Sequence, residues 1–151
     1  MKKYILLTFV LSSFNLLSQD YSYSELLNLG YDCVYEKNDY KNANNYFTQA
    51  IKMYPDSPYA YFGRGMSYRL GLDFEAENLD SVYNCIQLAL NDQSKALDLS
   101  PKKDLEFKGD IWSEIGILQL LNDDGDYCSS WKKSCKYENL SSCESYESLC
   151  K

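Results

Sequence analysis

The sequence contains no histidine. That removes the side chain most often used as a general base near neutral pH, and the commonest metal ligand. Basic residues are in deficit, with 15 Lys and Arg against 22 Asp and Glu, a net charge of −7. Phosphate backbones need a basic footprint, so nucleic acid is not an expected partner, and an anionic membrane surface is disfavoured on the same ground. Only 3 prolines and 7 glycines punctuate the 151 residues. Strand-like alternation is scarce, and apolar residues recur at helical spacing instead. C-x-x-C is absent, which removes the usual signature of a redox centre. "GRG" at Gly63–Gly65 lacks the strand–helix context of a phosphate loop. "NDDGDY" offers Asp123, Asp124 and Asp126 but not the distal Glu of a calcium loop, so it reads as a solvated helix-capping turn. Neither cofactor nor metal is expected, and the chain reads as a non-enzyme.

The first residues, "MKKYILLTFVLSSFNLLSQD", have the form of a secretory signal. Lys2 and Lys3 supply the positive end, Tyr4 to Leu11 an apolar stretch, and Ser18 a small residue before the cut. The apolar run ends by Leu17 and is interrupted by Ser12, Ser13 and Asn15, short of the ~20 residues of a membrane span. No cysteine follows it, so nothing points to a lipid anchor. Cutting after Ser18 leaves residues 19–151, enough for one domain with a core. It also removes two lysines, leaving 13 basic against 22 acidic residues, a net −9. An exported location, periplasmic or extracellular, is expected, with no membrane span in the mature chain. Asn139-Leu140-Ser141 matches a glycosylation acceptor, of little weight beside a signal of bacterial character.

The chain repeats itself. "LLNLGYDC", "YFGRGMSY" and "WSEIGILQ" stack on their glycines as Leu26-x2-Leu29-Gly30, Tyr61-x2-Arg64-Gly65 and Trp112-x2-Ile115-Gly116. Three residues further on lie Cys33, Tyr68 and Gln119. A second pattern follows. Ala43, Phe47, Ala50 and Pro55 in the first copy match Ala89, Gln93, Ala96 and Pro101 in the second, with Cys128, Lys132, Cys135 and Leu140 at those places in the third. The pattern resembles the tetratricopeptide repeat family, W-x2-L-G-x2-Y followed by A-x3-F and then P, over roughly Tyr23 to Lys136. The resemblance implies an all-α fold, an α-solenoid of about three helix–turn–helix repeats with a C-terminal capping helix. Small residues let paired helices approach closely, large ones fill the space between, and proline marks a helix end. The glycines lie 35 and 51 residues apart and the prolines 46. Most of the excess falls around "LDFEAENLDSVYN", read as an acidic turn and a lengthened second helix, and the rest near "KKDLEFK", read as a polar connector.

Four of the six cysteines close the chain, at Cys128, Cys135, Cys143 and Cys150. "GDYCSSWKKSCKYENLSSCESYESLCK", residues 125–151, reads as two helices around a turn near Glu138. Seven residues along one helix is ~10.5 Å. That is too far for two sulfurs on one zinc, which lie within about 4.6 Å of each other, and too far for a disulfide, whose Cα atoms lie at most ~6.8 Å apart. Across an antiparallel hairpin, Cys135 faces Cys143, and seven residues outward on each side Cys128 faces Cys150. A stapled hairpin over residues 126–151 is therefore expected, with free buried thiols or a metal or redox site as the alternatives. Cys33 and Cys85 have no evident partner.

The family resemblance implies a protein- or peptide-binding scaffold whose contact face is a concave wall built from the exposed face of each first helix. With the glycines as register marks, that face holds Leu27, Tyr31 and Tyr35, then Tyr59, Phe62, Met66 and Arg69, then Ser113, Ile117 and Leu120. Large apolar groups in water call for a reason, and Tyr and Arg are frequent interface anchors. Arg69 is expected to pair with a carboxylate on the partner, whose identity the sequence does not give. The competing readings are a thiol–disulfide protein using Cys33 or Cys85, and a self-assembly module.

Overall fold

The computed structural model describes residues 21–72 and 79–151. The expected signal over residues 1–18 lies outside them, as does most of the acidic turn of the insertion. The described residues form seven helices and no strand: α1 (Tyr23–Tyr35), α2 (Tyr40–Met53), α3 (Pro58–Leu70), α4 (Leu79–Leu99), α5 (Leu105–Leu121), α6 (Tyr127–Lys136) and α7 (Leu140–Leu149).

Local chemistry sets the helix ends. Ser22 caps α1 in a reciprocal capping box with Glu25, which satisfies donors that the first turn leaves free. Asp39, Asp104 and Asn139 cap α2, α5 and α7 by accepting from the backbone N–H three residues on. Pro58 opens α3, where its missing N–H costs nothing. Pro55 and Pro101 fall just beyond α2 and α4, as expected of residues that cannot continue a helix. The second of these helices is lengthened, with 21 residues in α4 against 14 in α2.

The helices pack as consecutive neighbours, α1 on α2 and so on to α7, and the first helices also touch directly, α1 with α3 and α3 with α5. Close approach depends on glycine meeting a large side chain. Phe47 of α2 is wholly buried and its ring lies between two glycines. A Cβ on Gly30 would come within 2.7 Å of the ring, and one on Gly63 within 2.4 Å. Gly65 faces the Gln93 amide at 2.7 Å in the same sense, and Gly116 faces the Trp131 ring at 2.5 Å. Ala43, Ala50, Ala60, Ala89 and Ala96 are fully buried at the remaining contacts. Leu26, Val34, Ile86, Ile111, Ile115 and Leu118 complete the apolar core.

The third helix pair departs from the expected register. Cys128, Lys132 and Cys135 do not occupy the alanine and aromatic places. Lys132 is exposed and the two cysteines are half-buried, while Trp131 and Ser134 point inward. The register is one residue earlier because the Trp131 indole, not an aliphatic lysine stem, fills the space over Gly116. On α4, Tyr83 is 54% exposed.

Two bidentate ion pairs hold α3 to its neighbours. Arg64 donates from Nε and Nη2 to Asp92 of α4 (2.7 and 2.8 Å), and Arg69 donates to Glu114 of α5 (2.6 and 2.9 Å). Both carboxylate side chains are largely buried. The Asp92 bond holds the Arg64 guanidinium above its ordinary pKa, against the opposing effect of burial.

The C-terminal hairpin is stapled as its spacing predicted, by Cys128–Cys150 and Cys135–Cys143, with Cα separations of 5.7 and 4.8 Å. Its interior is small and polar. Ser130 donates to Gln119 Oε1 (2.7 Å). Ser134 donates to the Gly109 carbonyl (2.6 Å) and shares a hydrogen bond with Ser142 Oγ (2.9 Å). Leu140 and Leu149 of α7 are 77% and 58% exposed. Helix α7 thus has little apolar burial of its own, and the staples take that place.

Candidate functional site

A row of aromatic rings runs across α1, α3 and α5. Tyr35 stacks on Tyr31 (centroids 6.1 Å apart), and Tyr31 packs edge-on against Phe47 (5.0 Å). The Tyr31 hydroxyl donates to the Tyr59 carbonyl (3.1 Å), which joins α1 to α3. Tyr59 and Phe62 both pack on Phe107 of α5, at 4.7 and 5.2 Å, and the Tyr59 hydroxyl donates to Asp104 (3.2 Å). Helical periodicity explains the row, since Tyr31 and Tyr35 are one turn apart on α1 and Tyr59 and Phe62 one turn apart on α3.

Of the residues expected on this face, Tyr35 (62% exposed), Tyr59 (40%) and Leu120 (42%) are open to solvent. Leu27, Tyr31, Phe62, Ser113 and Ile117 are half-buried. Met66 is not on the face. It is buried beside Val34 and Phe47, because it lies one turn beyond Gly63 on the side of α3 that closes against α1 and α2. The Tyr35 hydroxyl covers it, directed at its sulfur (3.9 Å). Arg69 is not a free cation awaiting a partner carboxylate, because Glu114 already holds it with two bonds. Phe107, which joins the row from α5, was missed. It precedes Trp112 by five residues and lies outside the aligned sequence pattern.

The electrostatics of the face are acidic. Glu106, Asp110 and Glu114 recur every four residues on α5 and share one side of it. Burial raises the Asp110 carboxyl, Glu106 and Asp104 raise it further, and the Asn139 amide bonded to it (3.0 Å) partly offsets them. The Tyr35 phenol is raised chiefly by burial and then by Glu114 and Asp110, with Arg69 opposing them. Burial is likewise the main cause that raises Tyr31, followed by Tyr35, Tyr23 and Tyr59.

Beyond Asp110 lies a cavity of about 310 Å³ bounded by Glu106, Asp110, Tyr137, Glu138, Asn139, Leu140 and Ser141. It is built between the start of α5 and the α6–α7 turn. Cys33 and Cys85 are free thiols. Burial pushes the Cys33 thiol up, away from the thiolate that a reactive cysteine needs. Among the described residues, no group of His, Cys, Asp and Glu is placed to hold a metal ion, and no helix is long and apolar enough to cross a membrane. No protein-family model matches the chain, and no curated protein is significantly similar to it.

Proposed function

We propose that the chain is a short solenoid of tetratricopeptide-like helix pairs, and that it acts as a non-catalytic scaffold binding a protein or peptide segment outside the cytoplasm. Two features support the repeat reading. A glycine of each first helix receives a large side chain from its second helix, as Gly30 receives Phe47, Gly65 receives Gln93 and Gly116 receives Trp131. Pro55 and Pro101 close α2 and α4. The two disulfides are compatible with an oxidising, exported location.

The observation that carries the binding role is the aromatic row along which Tyr35 and Tyr59 are open to water. Tyrosine offers a large, stiff and amphipathic contact area, and it is enriched among the residues that dominate interface energies. The test is the pair Tyr35→Ala and Tyr59→Ala. These are more exposed than Phe62, so truncating them disturbs the core less. Folding is checked by circular dichroism, and partners are recovered from the envelope fraction and identified by mass spectrometry. Loss of specific partners with the fold intact is the expected result. An unchanged set of partners would place the contact surface elsewhere.

A further inference from the structure

A cavity of about 470 Å³ opens beside α3, between the first half of α2 and the first half of α4, and shares no residue with the aromatic row. We propose that it binds a neutral saccharide of one or two sugar units.

Three helices build the wall. Lys41, Asn44 and Asn45 come from α2, Tyr68 from α3 and Cys85 from α4. Positions three and four apart share one side of a helix, which brings the α2 residues together. Two contacts frame the cavity on either side of Tyr68 along α3. At Gly71 the backbone comes so near α2 that a Cβ would lie 3.2 Å from Tyr40 Cβ. One turn before Tyr68, Arg64 spans the gap, donating to Thr48 of α2 (3.4 Å) as well as to Asp92 of α4.

The wall's chemistry excludes several ligand classes. It contains no Leu, Ile, Val or Met, so a wholly apolar ligand finds no match. Its charges are Lys41 and Asp39, and one of each sign leaves no net charge for an ion to meet. Asp39 is already engaged as the cap of α2, accepting from the Asn42 backbone (3.1 Å) and side-chain amide (2.6 Å). What remains is hydrogen-bonding capacity beside flat rings. Asn44 is half-buried, and neither its amide, the Asn45 amide nor the Tyr68 hydroxyl has a hydrogen-bond partner among the described residues. Each amide offers two donors and an acceptor, and the phenol one donor and an acceptor. Sugar hydroxyls both donate and accept, so they reproduce the bonds of the waters they displace. The half-buried rings of Tyr40 and Tyr68 give apolar surface for the C–H face of a pyranose. The Tyr40 hydroxyl donates to Asn38 (3.0 Å), which holds that ring in place. The volume falls within the ~300–1,000 Å³ usual for small-molecule sites.

Cys85 reports on the cavity. Cys33 is buried and burial raises its thiol, so alkylation of the folded chain falls on Cys85. Residues 19–151 are treated with iodoacetamide, and the rate at Cys85 is followed by mass spectrometry with and without maltose, cellobiose or N,N′-diacetylchitobiose. Calorimetric titration with the same sugars gives a reading independent of the thiol. At least one sugar is expected to bind and to slow the alkylation. Asn44→Ala, Asn45→Ala places a good helix former on α2 and should weaken that binding roughly tenfold, the worth of two lost hydrogen bonds. The control Asn28→Ala, Asn91→Ala removes two exposed amides outside the cavity and should leave it unchanged. Circular dichroism checks the fold of each variant. Absence of heat with every sugar would overturn the proposal, and so would equal weakening by the control. Binding that neither slows alkylation at Cys85 nor responds to the α2 substitutions would place the sugar elsewhere. Heat and protection from tri-alanine or inorganic phosphate, but from no sugar, would assign the cavity to a peptide main chain or an anion and refute the saccharide. None of these outcomes bears on Tyr35 and Tyr59, so the aromatic face stands or falls separately.

Discussion

Replacing Gly63 by Ala adds one methyl group, and the structure places it against a ring that cannot retreat. The new Cβ would lie 2.4, 2.5 and 2.8 Å from three carbons at the end of Phe47, and the same ring already meets Gly30 on its other flank. Two effects compete. Alanine in a helix interior is favoured over glycine by about 1 kcal/mol. Overpacking a filled core costs typically ~1–3 kcal/mol. Contacts this short on a wholly buried side chain place the cost in the upper part of that range, so the net expectation is destabilisation by about 1–2 kcal/mol. Urea denaturation followed by circular dichroism at 222 nm measures it through the midpoint. The cause is isolated by repeating the change in a Phe47→Leu background, where the ring is gone. There Gly63→Ala should be neutral or stabilising, giving a coupling within the ~0.5–3 kcal/mol seen between residues in contact. A raised midpoint for Gly63→Ala in the wild-type background would refute the wedged ring and the account of helix approach built on it.

Two further outcomes follow from the termini and the tyrosines. Removing the outer staple with Cys128→Ser, Cys150→Ser, whose partners lie 22 residues apart, should cost about 3 kcal/mol in the chain-entropy account. Amide exchange should then rise first in α7, and uniform exchange across the chain would contradict the dependence of α7 on its staples. Tyr31 is held protonated more tightly in the folded chain than in the unfolded one, because burial opposes the phenolate. Its contribution is complete below the unfolded value of about 10 and is lost as pH rises towards the folded one. Stability should therefore fall above about pH 10, and Tyr31→Phe should flatten that fall. An alkaline profile identical in the variant would assign the loss to other groups.

What was legible in the sequence was what local rules dictate. Pro55 and Pro101 mark the ends of α2 and α4 because proline lacks a donor wherever it stands. The spacing of the last four cysteines gave their pairing, since an antiparallel hairpin leaves only level rungs within reach. Gly30, Gly65 and Gly116 were recognisable as packing positions, but Gly63 was read only as part of a failed phosphate loop, because its partner Phe47 lies sixteen residues away on another helix. Met66 and Arg69 were misplaced for a related reason. Periodicity along α3 identifies which residues share a side, but not which neighbouring helix covers that side. Glu114, which holds Arg69, is 45 residues further along the chain. The third pair slipped by one residue because its pattern was carried by cysteine and lysine, whereas the packing is carried by Trp131 and Ser134.

On the binding role proposed above, the paired guanidinium forks of α3 bear on the thermodynamics of recognition. Apolar contact tolerates sliding, but a bidentate guanidinium–carboxylate pair fixes both distance and direction. With Arg64 fastened to α4 and Arg69 to α5, the helix at the centre of the aromatic row has little freedom left to lose when a segment settles on it. The entropy of ordering then falls almost wholly on the incoming chain. Affinity would accordingly track the stiffness of that chain as much as its side chains, and a segment already helical or braced by proline would bind more tightly than a supple one presenting the same groups.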